Sequence, residues 1–190
     1  MDSKEFLTSY LNDFSDLVKP DEDIIHQLAK VADLLKDVQA EGKKIIIFGN
    51  GGSAAIASHF SVDLTKNAGL RCINCNESDL ITCFANDYGF ERWVEKAVDF
   101  YGDEGDLLIV ISSSGNSKNM LNGVKAARNG KFKAVVTFSG FKEDNPLHQS
   151  YLDAVLQGFL ILEVGHHRQS VVSLFFYFFT NGDQFTFCPS

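Results

Sequence analysis

The sequence predicts an α/β fold, a three-layer α/β/α sandwich with a central parallel sheet. Two apolar runs, Ile45-Ile46-Ile47-Phe48 and Asp106-Leu107-Leu108-Ile109-Val110-Ile111, have the make-up of strands covered on both faces. Each run stops at a Gly- or Ser-rich break and is followed by a helix-prone stretch. Strands that alternate with helices at this spacing pair in parallel through right-handed crossovers. With 190 residues, 45% hydrophobic and 22% charged, the chain is one domain with material for a substantial core. It divides into a helical region at 1–41, a core at 42–149 and an atypical segment at 150–190.

The first forty residues read as helix. Ile24, Ile25, Leu28, Val31, Ala32, Leu34, Leu35 and Val38 recur at three- and four-residue intervals after Pro20-Asp21. That stripe needs a partner, and a second subunit is one source of it. Gly42 ends the helix and Lys43-Lys44 leads into the first strand. Gly49-Asn50-Gly51-Gly52-Ser53 breaks that strand, and Ala54 to Phe60 is helix-prone. Alternation around Arg71 and Ile73 reads as a short strand. After the second apolar run, Ser112-Ser113-Ser114-Gly115-Asn116-Ser117 opens a helix from Lys118 to Asn129, with Met120, Leu121, Val124 and Ala127 on one face. A turn at Asn129-Gly130 leads to a third strand, Phe132 to Ser139. From about residue 150 the chain is dense in Phe, with Asp153, Glu163, Arg168 and Asp183 as its charged residues. Its run Val171 to Phe179 is shorter than the roughly 20 residues of a membrane span.

A net charge of −8 excludes a broad surface for nucleic acid or anionic membrane, both of which need clustered Lys and Arg. It permits a phosphate ligand held by backbone amides. The acidic, amphipathic N-terminus lacks a basic region leading into an apolar core, so no signal peptide and a cytoplasmic location are expected. Of Cys72, Cys75, Cys83 and Cys188, the first two make a CxxC spacing with no second pair at zinc-site distance. Reduced thiols are the expected state.

Both Gly/Ser breaks lie where an open parallel sheet binds ligands, beyond the carboxyl ends of its strands. Glycine allows close backbone approach, and the N–H groups that open the next helix attract an anion. Ser112, Ser113, Ser114 and Ser117 add hydroxyl donors without adding charge. Two such loops point to anion binding; a pair of purely structural turns is the alternative. GNGGSAA lacks the Gly-Lys-Ser/Thr of a P-loop and the GxGxxG spacing, so a nucleotide is not the favoured ligand.

FGNGGSAA, followed by SHF, ANDYGFE, ISSSGNS and a later Phe-Ser-Gly, resembles the SIS-domain phosphoheptose isomerases over roughly residues 25 to 148. The resemblance implies a SIS domain of flavodoxin-like topology. It implies conversion of sedoheptulose 7-phosphate to D-glycero-D-manno-heptose 7-phosphate for lipopolysaccharide or capsule synthesis. It also implies a homotetramer with active sites built between subunits, and in several members zinc. Matched motif by motif, it assigns Asn50, Gly51, Gly52 and Ser53 to the sugar, and Ser112, Ser113, Ser114 and Ser117 to the phosphate. It turns Asn86 and Asp87, in an expected loop before Tyr88-Gly89-Phe90, towards the sugar hydroxyls; the residues alone read as a turn.

Ketose–aldose isomerisation needs a base over the carbon acid and a donor or metal at the oxygen. His59 and Asp63, four apart on the helix after the first loop, share a face. The pair suits acid/base work or two metal ligands, and a solvated helix face would also explain it. The resemblance places histidine at 59 but glutamate at 63, so Asp63 draws its carboxylate back by one methylene. A displacement of about 1 Å can cost on the order of 100-fold in rate. The family's opposing Gln and His, on a last helix, find no match: Glu163 and His166 lie three apart in ILEVGHH, but Gly165 and Arg168 interrupt the pattern. Two other readings stay open, a SIS domain that binds a sugar phosphate without turning it over, as regulator or scaffold, and an enzyme for another phosphosugar.

Overall fold

The computed structural model describes residues 2–17, 19, 22–130, 132–140, 145–147 and 159–164. The N-terminal region is two helices where one was expected, α1 (Ser3–Leu17) and α2 (Glu22–Ala40). The sequence has Pro20 between them, and a proline inside a helix lacks the N–H to donate and clashes with the carbonyl four residues back. Asp2 Oδ1 caps α1 by accepting from the amides of Lys4 and Glu5 at 2.7 and 2.9 Å. At the end of α2, Gly42 takes φ +66° and donates to the Gln39 carbonyl, while Lys43 N donates to the Val38 carbonyl. This paired closure needs a residue at ease in the left-handed region, and glycine supplies it.

Among the described residues five parallel strands follow: β1 (Ile45–Gly49), β2 (Cys72–Ile73), β3 (Leu107–Ser112), β4 (Ala134–Gly140) and β5 (Phe159–Val164). Their order across the sheet is β2-β1-β3-β4-β5. The helices between them are α3 (Gly52–Lys66), α4 (Ser78–Tyr88), α5 (Trp93–Tyr101) and α6 (Lys118–Asn129). Residues of β1, β3 and β4 are buried throughout, as continuous apolar runs require when both faces are covered. Ile45, Ile47, Leu107, Ile109 and Val136 face Val31 and Leu35 of α2 and Phe60 and Leu64 of α3. Ile46, Phe48, Leu108, Val110 and Val135 face Trp93, Val94 and Ala97 of α5 and Met120 and Val124 of α6. Each such side chain contributes about 1.5–3 kcal/mol by leaving water. Trp93 meets Phe48 edge-on, ring centres 5.5 Å apart.

The lower edge of the sheet is tied by charge. Asp106, 1% exposed, accepts from Lys44 N at 3.0 Å and Asp103 N at 2.8 Å, and Lys44 Nζ lies 2.5 Å from both Asp103 and Asp106.

The third strand starts at Ala134, two residues later than expected. The segment after 150 supplies β5 to the core sheet, pairing Ser139 with Glu163. Glu163 thus lies in a strand and not on a late helix; His166 and the run 171–179 fall outside the described residues. Among the described residues no helix is long and apolar enough to cross a membrane.

Candidate functional site

From β1 the chain crosses to β2 on one side, then returns to place β3 on the other, so the strand order reverses between β1 and β3. Open α/β sheets bind ligands at such a switch point, outside the strands' carboxyl ends. The two expected loops open there side by side, Gly49 at the end of β1 being in register with Ile111 of β3.

In the first loop a Cβ on Gly49 would collide with the backbone of Ser53, and Gly51 adopts φ +54°. Ser53 N donates to the Asn50 carbonyl and Ala54 N to that of Gly51, both at 3.0 Å, which starts α3. Gly51 and Gly52 are exposed, and Ser53 is half-buried. Gly51, the N-cap of α3, has no side chain to cap with, and the Ser117 side chain does not cap α6. The N-termini of α3 and α6 therefore bring the positive ends of their dipoles to the same end of the sheet, the local electrostatics of an anion site.

The second loop is closed from behind. Ser112 is buried and its Oγ donates to Ser117 Oγ at 3.4 Å. Ser113, Ser114 and Ser117 are half-buried. Ser114 Oγ accepts from Asn116 N at 3.3 Å, and Gly115, at φ +62°, donates to the Ser112 carbonyl at 3.0 Å. Gly140 N donates to the Ser113 carbonyl at 3.1 Å and Leu147 N to that of Gly115 at 3.1 Å. Asn145, buried, lies against the Gly115 Cα and donates to Ser139 Oγ at 3.0 Å. The loops are also joined to each other: Asn50 Nδ2 donates to Asn119 Oδ1 at 3.0 Å, and Asn119 Nδ2 to Asn50 Oδ1 at 2.9 Å.

His59 and Asp63 share a face of α3, Nε2 3.5 Å from Oδ2, with side chains 55% and 17% exposed. Asn67 Nδ2 donates to Asp63 Oδ1 at 3.2 Å. At 1.5 Å per residue Asp63 lies about 16 Å along α3 from Gly52. Asn86 and Asp87 are not in a loop; they form the last turn of α4, both exposed, with Asn86 Nδ2 donating to Asp87 Oδ1 at 2.9 Å. The helix stops one residue later, where Gly89 takes φ +89°. Half-buried Leu80, Ile81 and Phe84 hold α4 to the core, a three- and four-residue spacing that outweighs the turn preference of Asn-Asp.

Cys72 and Cys75 are buried, which pushes their thiols up to about 12 and about 11 and disfavours the thiolate that metal or redox chemistry uses. Among the described residues no three His, Cys, Asp or Glu side chains gather as a metal site. His59 and Asp63 supply two donors, where zinc takes three or four protein ligands.

Asn119 and Asn145 escape a reading of the sequence. A lone asparagine inside a helix or after a strand carries no motif, and its role depends on neighbours far away in the chain.

A family model described as SIS domain matches residues 9–139. The chain is 40% identical over 129 residues to a phosphoheptose isomerase of Fusobacterium nucleatum, covering 64% of this chain and 66% of that one. It is 35% identical over 144 residues to a phosphoheptose isomerase of Yersinia enterocolitica, covering 72% and 74%. The match therefore spans just under two thirds of the Fusobacterium relative. Among solved structures, a phosphoheptose isomerase from Francisella tularensis superposes with a TM-score of 0.82 at 25% identity, over 95% of this chain and 96% of that one. One from Neisseria gonorrhoeae gives 0.79 at 25% identity, over 94% and 98%.

Proposed function

Because this chain belongs to the SIS-domain family and resembles its phosphoheptose isomerases along most of its length, we propose that it interconverts sedoheptulose 7-phosphate and D-glycero-D-manno-heptose 7-phosphate. The observation that carries this is the switch point between β1 and β3, where the N-termini of α3 and α6 and a serine-rich loop lie side by side without a Lys or Arg in either loop. In this reading the phosphate sits in the Ser112–Ser117 loop. The sugar runs past Asn50, Gly51, Gly52 and Ser53, with Asn86 and Asp87 towards its hydroxyls.

The chemistry moves one proton between adjacent carbons. A base takes a proton from the carbon beside the carbonyl and the carbonyl oxygen gains one, giving an enediol. The enediol then gives up a hydroxyl proton and is reprotonated on the neighbouring carbon. Asp63 acts as the base and His59, 3.5 Å away, as the partner that handles the oxygen's proton. Asp63 stands well along α3 from the first loop of its own chain, which supports a site completed by a neighbouring subunit. The exposed Phe6, Leu7, Tyr10 and Leu11 of α1 support the same assembly, a homo-oligomer and in this reading a tetramer.

Zinc, if bound at His59 and Asp63, would act as a Lewis acid at the sugar oxygens and would need further donors from outside the described residues; no step above depends on it. The charge of a phosphorylated sugar keeps it inside the cell, which supports a cytoplasmic reaction.

A second reading, a domain that binds the sugar phosphate without turning it over, is favoured by the short carboxylate at 63. Incubation with sugar 6- and 7-phosphates in deuterated water separates the two. Deuterium entering the carbon beside the carbonyl of the heptose 7-phosphate is expected for the isomerase. Binding without exchange overturns it in favour of the binding domain.

A further inference from the structure

We propose that the Asn50–Asn119 amide pair is a strut that fixes the span between the two loops, which makes Asn119 a positioning residue for the phosphosugar. This rests on the reading above, in which one ligand touches both loops.

Asn119 lies in the first turn of α6, directly behind the serine loop, and is 3% exposed. Asn50 is the first residue after β1, at the start of the glycine loop. Each loop is otherwise held from its own side. The first closes on its own turn, Ser53 and Ala54 donating to Asn50 and Gly51. The second is braced by Gly140, Asn145 and Leu147. The amide pair bridges them directly, across 69 residues of sequence.

Its chemistry suits the place. Two amides facing each other satisfy a donor and an acceptor on each side, and hydrogen bonds fix distance and angle where an apolar contact would not. The pair is neutral, so it neither cancels the positive field of the helix N-termini nor competes for the anion as a Lys or an Asp would. It also commits the Asn50 side chain to the protein, leaving the backbone of the glycine loop to meet the sugar. A ligand that engages both loops then finds them already at the right separation, and fixing that separation in advance raises its affinity. Inorganic phosphate, which needs only the second loop, gains nothing from it.

The test is titration calorimetry on the full chain with two probes, inorganic phosphate and sedoheptulose 7-phosphate, for the parental protein, Asn119→Ala, Asn50→Ala and the double variant. Parental binding of the phosphosugar tests the functional reading by itself, and its absence would remove both that reading and the strut. Given that binding, phosphate affinity in each variant is expected within about twofold of parental, as for independent sites. Phosphosugar affinity is expected to fall about tenfold or more in either single variant, because preorganisation is lost. The double variant should be no weaker than the worse single one, since both remove the same pair. Parental phosphosugar affinity in the variants, an equal loss for both probes, or additive losses would each overturn the strut. Asn50 is half-buried, so Asn50→Ala carries the test if Asn119→Ala fails to fold.

Discussion

Asp63 ends one methylene short of a glutamate, and an acid/base reaction is sensitive to that length. Asp63→Glu is expected to raise the rate of substrate proton exchange, towards the roughly 100-fold scale that a 1 Å misplacement can cost. Asp63→Asn should abolish exchange in deuterated water, and exchange at the parental rate in that variant would remove Asp63 as base. At Gly115 the backbone is at φ +62° and a methyl group would strike Asn145. Gly115→Ala should therefore destabilise the fold by about 1–3 kcal/mol and weaken phosphate binding, read by denaturant melts and by titration. The serines and glycines of the two loops were legible in the sequence because composition and position between strand and helix mark them. Asn119 and Asn145 were not, because each is defined by a partner, Asn50 or the Gly115 backbone, that only the fold brings near.

Among the elements, α6 was read at its observed limits because its apolar spacing is bracketed by Ser117 and Gly130. Strands β1 and β3 were legible within a residue at either end, as uninterrupted apolar runs stopped by Gly and Ser. α4 was missed where Asn-Asp-Tyr-Gly imitates a turn, and β5 where ILEV was weighed against a helical pattern. The ties between elements were beyond periodicity altogether, and the one at Lys44 has a pH signature. Burial of Lys44 opposes its charge, but the carboxylates of Asp103 and Asp106 outweigh burial and hold the ammonium above its ordinary value. A raised folded value means this contribution is complete below about pH 10.4 and fades as pH climbs through the folded value. Asp103, held low by its hydrogen bond to Lys44, contributes in the opposite sense, its share fading only as pH falls through its lowered value. Thermal melts of the parental protein should lose stability above that alkaline limit, and Lys44→Gln should flatten the loss. An identical alkaline limb in both proteins would assign it elsewhere.

At the scale of the whole molecule, α1 presents Phe6, Leu7, Tyr10 and Leu11 to solvent, with Phe6 and Tyr10 stacked 6.2 Å apart. Sedimentation at micromolar concentration should show an assembly larger than one chain, and Leu7→Glu with Leu11→Glu should shift it towards the monomer. A parental monomer would count against the neighbouring-subunit site. The sheet itself carries a different liability. β4 is seven residues long, uncharged, free of proline and buried along its whole length, and β5 is what pairs its outer edge. Without β5, that edge would offer a bare row of amides and carbonyls on an apolar ribbon, the template from which chains recruit one another. β5 is thus a guard against self-assembly as well as a member of the sheet. A chain stopped after Leu147 should scatter light and bind amyloid dyes at concentrations where the full chain stays clear, and equal clarity of the two would remove this role from β5.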